Sequence, residues 1–179
     1  EGDYLCKHHY SNSTGRRSNV LRSLKERINH DNSNPIMQHY INSKNHIPPW
    51  ILTTSIPYGL TIEWYNILRG NDKLEICNSF ISPGLFNEEK TKEFVRKVLE
   101  LTKEYRNKIA HGNRTFSILN LPQLPKEQLL TLTFNAISEE EYNLGIGRDD
   151  TFAVILSLVV MLSDKYLITN FYTELRNVI

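Results

Sequence analysis

The run from Asn87 to Gly112 constrains the fold of this chain more than any other stretch. Phe94, Val98, Leu101, Tyr105 and Ile109 recur along it at three- and four-residue spacing. Only an α-helix gathers such positions on one face, and that face then has to be covered by other elements. Both ends carry stop signals. Asn87 is an N-cap residue followed by Glu88 and Glu89, whose charge suits the positive end of the helix dipole, and Gly112 is the natural terminator. The same periodicity predicts a helix that starts after Ser18 and runs through Arg27, with Val20, Leu21, Leu24 and Ile28 as its apolar positions. Further helices are expected at Pro35–Asn42, Ile51–Thr54, Thr61–Leu68 and Leu74–Ile81, with a last long one from Asp150 to Arg176. The expectation is an all-α bundle of about five to seven helices.

Between these elements, His46-Ile47-Pro48-Pro49-Trp50 is expected to be extended, since each proline disfavours helix at the residue before it. Gly70 reads as a helix terminator, with Asn71 or Asp72 as the next N-cap. Asn120–Thr133, with its prolines, reads as a loop holding at most a short strand. Trp50 and Phe116 are expected as core anchors, His39 and Tyr40 as a partly buried helix pair. Glu139-Glu140-Glu141 and Asp149-Asp150 are expected as solvated loop and N-cap groups. A length of 179 residues fits a single domain, 1–179. The chain opens at Glu1 in a polar, basic stretch, so it is expected to be the C-terminal portion of a longer protein.

Composition narrows the function. With 40% hydrophobic and 23% charged residues, neither wholesale disorder nor an integral membrane protein is indicated. The apolar run Thr151–Leu162 is too short to cross a bilayer. Cys6 and Cys77 form no ligand or disulfide pattern, which fits a reducing cytoplasm. His8 and His9 beside Cys6 lack the further ligands of a tetrahedral set, so no metal site and no cofactor are expected. A net charge of +1 gives no overall basic excess, so any contact with nucleic acid has to come from local patches. Arg16, Arg17, Arg22, Lys25 and Arg27 form one such face, readable as solvated surface or as a phosphate-tracking patch.

The chemistry concentrates in Tyr105-Arg106-Asn107-Lys108-Ile109-Ala110-His111-Gly112-Asn113-Arg114-Thr115-Phe116. An Arg with a His a few positions later is weak evidence by itself, since about one such pair arises by chance at this composition. The helical context adds geometry. Asn107 and His111 are four apart and share a face, and Arg106 is adjacent with a long side chain. Gly112 leaves the imidazole by the last carbonyls, where the dipole favours a cationic ring. Cleaving RNA through its own 2′-hydroxyl needs a base, an acid for the leaving 5′-oxygen and a cation for the phosphate, and no metal. Arg106 suits the phosphate, because a guanidinium can grip two oxygens at once. His111 suits proton transfer, and a two-fold dimer would supply a second one. Asn113, Arg114 and Lys108 are candidate RNA-binding neighbours. The competing reading is a helix-end ion cluster in which Arg106 pairs with Glu104 or Glu100.

The run from Arg106 to Phe116 resembles the R-N-x-x-A-H-x-x-R-x-F signature of Abi-like abortive-infection proteins, members of the HEPN superfamily of helical ribonucleases. Upstream, Ile47-Pro48-Pro49-Trp50 and Tyr58-Gly59-Leu60 resemble the family's P-x-W and F-G-x-L elements, with Tyr58 at the Phe position. Thr54 departs from it, standing where an acidic residue is common four positions after the Trp. The resemblance implies a four-helix HEPN core with additional helices, a homodimer with a composite cleft, and metal-independent RNA cleavage by a toxin-like enzyme in antiviral defence, with an antitoxin or small RNA as a further partner. Two functions stay open at this stage. One is that endoribonuclease, with Arg106, Asn107 and His111 as its catalytic residues. The other is a non-catalytic RNA-binding module using the same groups.

Overall fold

The computed structural model describes residues 4–13, 15–30, 34–44, 46–112, 114, 118, 120–162 and 164–178. Among them the chain is all-α, with ten α-helices, one 3-10 turn and no strand beyond an isolated bridge between Tyr10 and Leu68. No helix among these residues is long and apolar enough to cross a membrane. The chain divides into two compact units, Glu1–Lys73 and Leu74–Ile179.

The first unit holds the 3-10 turn Lys7–His9 and helices α1 (Arg17–His30), α2 (Pro35–Lys44), α3 (Pro49–Ser55) and α4 (Tyr58–Ile67). Val20, Leu21, Leu24 and Ile28 of α1 are buried as their spacing predicts, alongside Leu5, Met37, Ile47, Leu52 and Trp64. α1 packs on α4 and α2 on α3. A polar chain threads this core: Trp64 Nε1 donates to the Tyr10 hydroxyl at 2.9 Å, which donates to the Tyr4 carbonyl at 2.8 Å, and the Tyr4 hydroxyl donates to the Ile47 carbonyl at 2.7 Å. Burial pushes the Tyr10 phenol above its ordinary pKa, the Trp64 bond opposing and the Asp72 carboxylate adding to the rise. His39 and Tyr40 meet edge to face at 5.7 Å between ring centroids, Tyr40 half-buried.

Four expectations fail here. Pro48 is extended, but Pro49 and Trp50 open α3, with proline in the first turn where its missing N–H costs nothing. Trp50 is 64% exposed rather than a core anchor. Leu52 takes the inward position, and a residue two places earlier on a helix points about 200° away. Gly70 does not terminate a helix either. α4 ends at Ile67, with Leu68 extended, and Gly70 begins α5 (Gly70–Asn78), whose first turn carries Asp72. The Arg69 carbonyl accepts from Lys73 N at 3.0 Å, so Arg69 holds the position expected of Asn71 or Asp72.

The second unit is built on α6 (Glu88–Ala110), against which α7 (Lys126–Leu132) and α9 (Thr151–Met161) pack. Thr91, Phe94, Val95, Val98 and Leu101 of α6 are buried, as are Leu129, Ala153, Val154 and Leu156. The segment read as a loop with a strand contains α7 instead. Pro125 is its extended N-cap, and burial of Gln128 and Leu129 fixes a helix that the prolines hid from local pattern. The acidic triplet is the first turn of α8 (Glu139–Asn143), closed by a capping box between Ser138 and Glu141. Asp150 caps α9 through Ala153 N at 2.8 Å. The expected long final helix is two, because Leu162 is extended and Asp164 starts α10 (Lys165–Val178) by accepting from Tyr166 N at 2.7 Å.

Candidate helix-end site

Helix α6 has 23 residues, roughly 34 Å at 1.5 Å per residue. Its start is fixed by Asn87, whose side chain accepts from Lys90 N at 2.9 Å. Its end is fixed by His111, the C-cap residue, whose N–H reaches the Asn107 carbonyl at 3.0 Å. Gly112 follows at φ +82, the left-handed region that a side chain rarely adopts, and so ends the helix.

The apolar stripe changes character along this length. Phe94, Val98 and Leu101 are buried, Tyr105 is half-buried, and Ile109 is 41% exposed. The last turn therefore stands clear of the unit's core, and the residues proposed for chemistry sit on it. Arg106 and His111 are exposed, and Asn107 is partly so. Arg106 Nη1 donates to Asn107 Oδ1 at 3.4 Å, a weak bond that ties the two together. Asn107 and His111 lie one turn apart, joined through backbone. Among the described residues no hydrogen bond links their side chains. Lys108 is partly buried on the same turn and Arg114 is exposed beyond it. Asn113, Thr115 and Phe116 lie outside the described residues.

The acids of α6 bear on a helix-end ion cluster. Glu100 is engaged by Arg96 at 2.5 Å and Lys97 at 3.2 Å, nearly two turns below Arg106. Among the described residues no ion pair engages Arg106. The guanidinium thus keeps donors for an incoming anion. No group of three or more His, Cys, Asp or Glu side chains suited to a metal ion occurs among the described residues. The structure brings Arg106, Asn107, Lys108 and His111 to one helix end. It also shows a residue that spacing assigns to the core and the fold places outside: Ile109, an apolar side chain open to solvent between the polar groups.

The upstream elements lie in the first unit. Pro48 is buried, Trp50 exposed, and Tyr58-Gly59-Leu60 form the first turn of α4. Thr54 is exposed and spends its hydroxyl on the Ile51 carbonyl at 2.8 Å. The family model described as Abi-like protein matches residues 1–117, a span that takes in these elements and all of α6. No curated protein and no solved structure matches the chain.

Proposed function

The chain belongs to the Abi-like protein family, and from that premise we propose that it is a metal-independent endoribonuclease of abortive-infection defence, acting on RNA in the cytoplasm. One observation carries the reading: Arg106 is exposed at the end of α6, has no ion-pair partner among the described residues, and lies beside Asn107 and within about a turn and a half of His111. In this mechanism the 2′-oxygen attacks the adjacent phosphorus and the bond from phosphorus to the 5′-oxygen breaks. One proton leaves the 2′-hydroxyl and another reaches the departing 5′-oxygen. Arg106 neutralises charge on the non-bridging oxygens, Asn107 orients the phosphate or the ring, and His111 moves a proton. Lys108 and Arg114 extend the contact to flanking phosphates.

A second proton-transfer group is needed, and a homodimer supplies it by placing two His111 in one cleft. The exposure of Ile109 beside the site supports this, because the apolar stripe of α6 runs out of its own core there and offers a face for a second α6. A HEPN-like four-helix arrangement is the fold this reading assumes.

The test is incubation of the protein with total RNA in EDTA, wild type beside His111→Ala. The expected result is cleavage leaving 2′,3′-cyclic phosphate, reduced about 10²–10⁴-fold in the variant. Cleavage that stops in EDTA, or products ending in a 3′-hydroxyl, overturns it. Light scattering is expected to show a dimer at micromolar concentration. Full activity from a monomer rules out the composite cleft. If wild type and His111→Ala shift RNA equally on a gel and neither cuts, the site is an RNA-binding module.

A further inference from the structure

Several cations among the described residues sit against carboxylates. Arg16 meets Glu63 at 3.2 Å, Lys90 meets Glu127 at 2.6 Å, Lys92 meets Glu89 at 2.6 Å and Arg148 meets Asp149 at 3.3 Å. The surface around the 3-10 turn of the first unit is built differently. Arg17 Nη1 donates to the Tyr10 carbonyl at 3.2 Å and lies 3.4 Å from that of Lys7, while Arg69 Nη2 donates to the carbonyl of His8. A carbonyl orients a guanidinium but carries no net charge, so both keep their full positive charge. Lys7, His8 and His9 are exposed on the same turn. Among the described residues no ion pair engages Lys7, His8, His9, Arg17 or Arg69. Of the nearby acids, Glu63 is held by Arg16, while Asp72 lies in the first turn of α5, close enough for its field to reach the Tyr10 phenol.

The turn also offers rings. His8 and His9 stand with ring centroids 3.9 Å apart, tilted by 46°. Exposed imidazoles beside fixed cations match the two surfaces of an unpaired nucleotide, a flat base and a charged phosphate. A duplex hides its base faces, and an acidic peptide or lipid headgroup uses only the charge. Holding both guanidiniums on backbone carbonyls also lowers the ordering cost of binding.

We infer that the Lys7–His9 turn, with Arg17 and Arg69, is a contact surface for single-stranded nucleic acid, built from residues other than those at the end of α6. The phosphates lie on Lys7, Arg17 and Arg69, and a base stacks on the His8–His9 pair. This surface holds a strand whether or not the α6 site cuts it.

The test uses the whole chain with His111→Ala in the background, so that cleavage does not enter the readout. Lys7→Glu/His8→Ala/His9→Ala alters only exposed side chains and leaves the carbonyl-held arginines in place. Fluorescent oligouridine, the DNA of matching sequence, a blunt RNA duplex and phosphatidylglycerol vesicles are titrated at several salt concentrations. The expected result is about tenfold weaker binding of the single strands, with the slope of log affinity against log salt smaller by about 0.7 for each phosphate no longer neutralised. The duplex should change less. Equal losses for RNA and DNA assign the surface to phosphate and base, and a loss confined to RNA adds the ribose. Unchanged affinity and salt slope in a variant with wild-type circular dichroism overturns the proposal, as does a loss seen only with vesicles. Arg106→Ala in the same assay reads the α6 site separately, so failure at one surface does not pass for failure at the other.

Discussion

Helix α6 is one element with two different halves. From Asn87 to Leu101 it is capped, its apolar side chains are buried, and Lys90, Lys92, Arg96 and Lys97 are matched to carboxylates. From Tyr105 to His111 burial fades, Ile109 is exposed, and Arg106 has no ion-pair partner among the described residues. The contrast separates what holds the unit together from what it presents. A buried, charge-matched half resists substitution where a change leaves a cavity or a broken bond. An open half tolerates substitution thermodynamically and loses only what it would have bound.

Urea denaturation across α6 can break or sharpen this comparison. Phe94→Ala removes a fully buried ring from the helix on which α7 and α9 pack and is expected to cost about 3–5 kcal/mol. A loss below about 1 kcal/mol would mean that the first half is not anchored by its stripe. Asn87→Ala removes the cap that accepts from Lys90 N and is expected to cost about 0.5–2 kcal/mol. Lys92→Ala breaks a pair whose acid, Glu89, is largely exposed, so the expected loss is about 0.2–1 kcal/mol. Arg106→Ala comes last, expected within about 0.5 kcal/mol of wild type while RNA affinity falls in a gel shift. If Arg106→Ala destabilised the protein as much as Asn87→Ala, the guanidinium would be a structural group and the contrast between the halves would collapse.

Much of α6 was legible in the sequence. Its cap, stripe, stop and the shared position of Arg106, Asn107 and His111 all follow from spacing along one helix, which a local pattern records. Less legible were elements whose identity rests on distant burial. α7 follows a proline-bearing approach and is settled by Leu129 packing inward. The break before α10 turned on Asp164 acting as an N-cap, although the polar run there was visible. Trp50 was misplaced because an isolated aromatic says nothing about which side of a short helix faces the core.

The charges divide in the same way. The sequence by itself determined that cations and a histidine collect at the end of α6, because residues within a turn of each other on a helix are neighbours in any fold. The same period pairs Glu100 with Arg96 and Lys97, four and three positions back, and leaves Arg106 six positions away out of step with it. Only the tertiary structure decided the contacts that cross the chain. Arg69, 61 positions from His8, came to rest on its carbonyl and completed a charged surface around the 3-10 turn. Spacing encodes contacts within a helix, whereas the choice of partner across the chain waits on packing, which brings together residues that no local period relates.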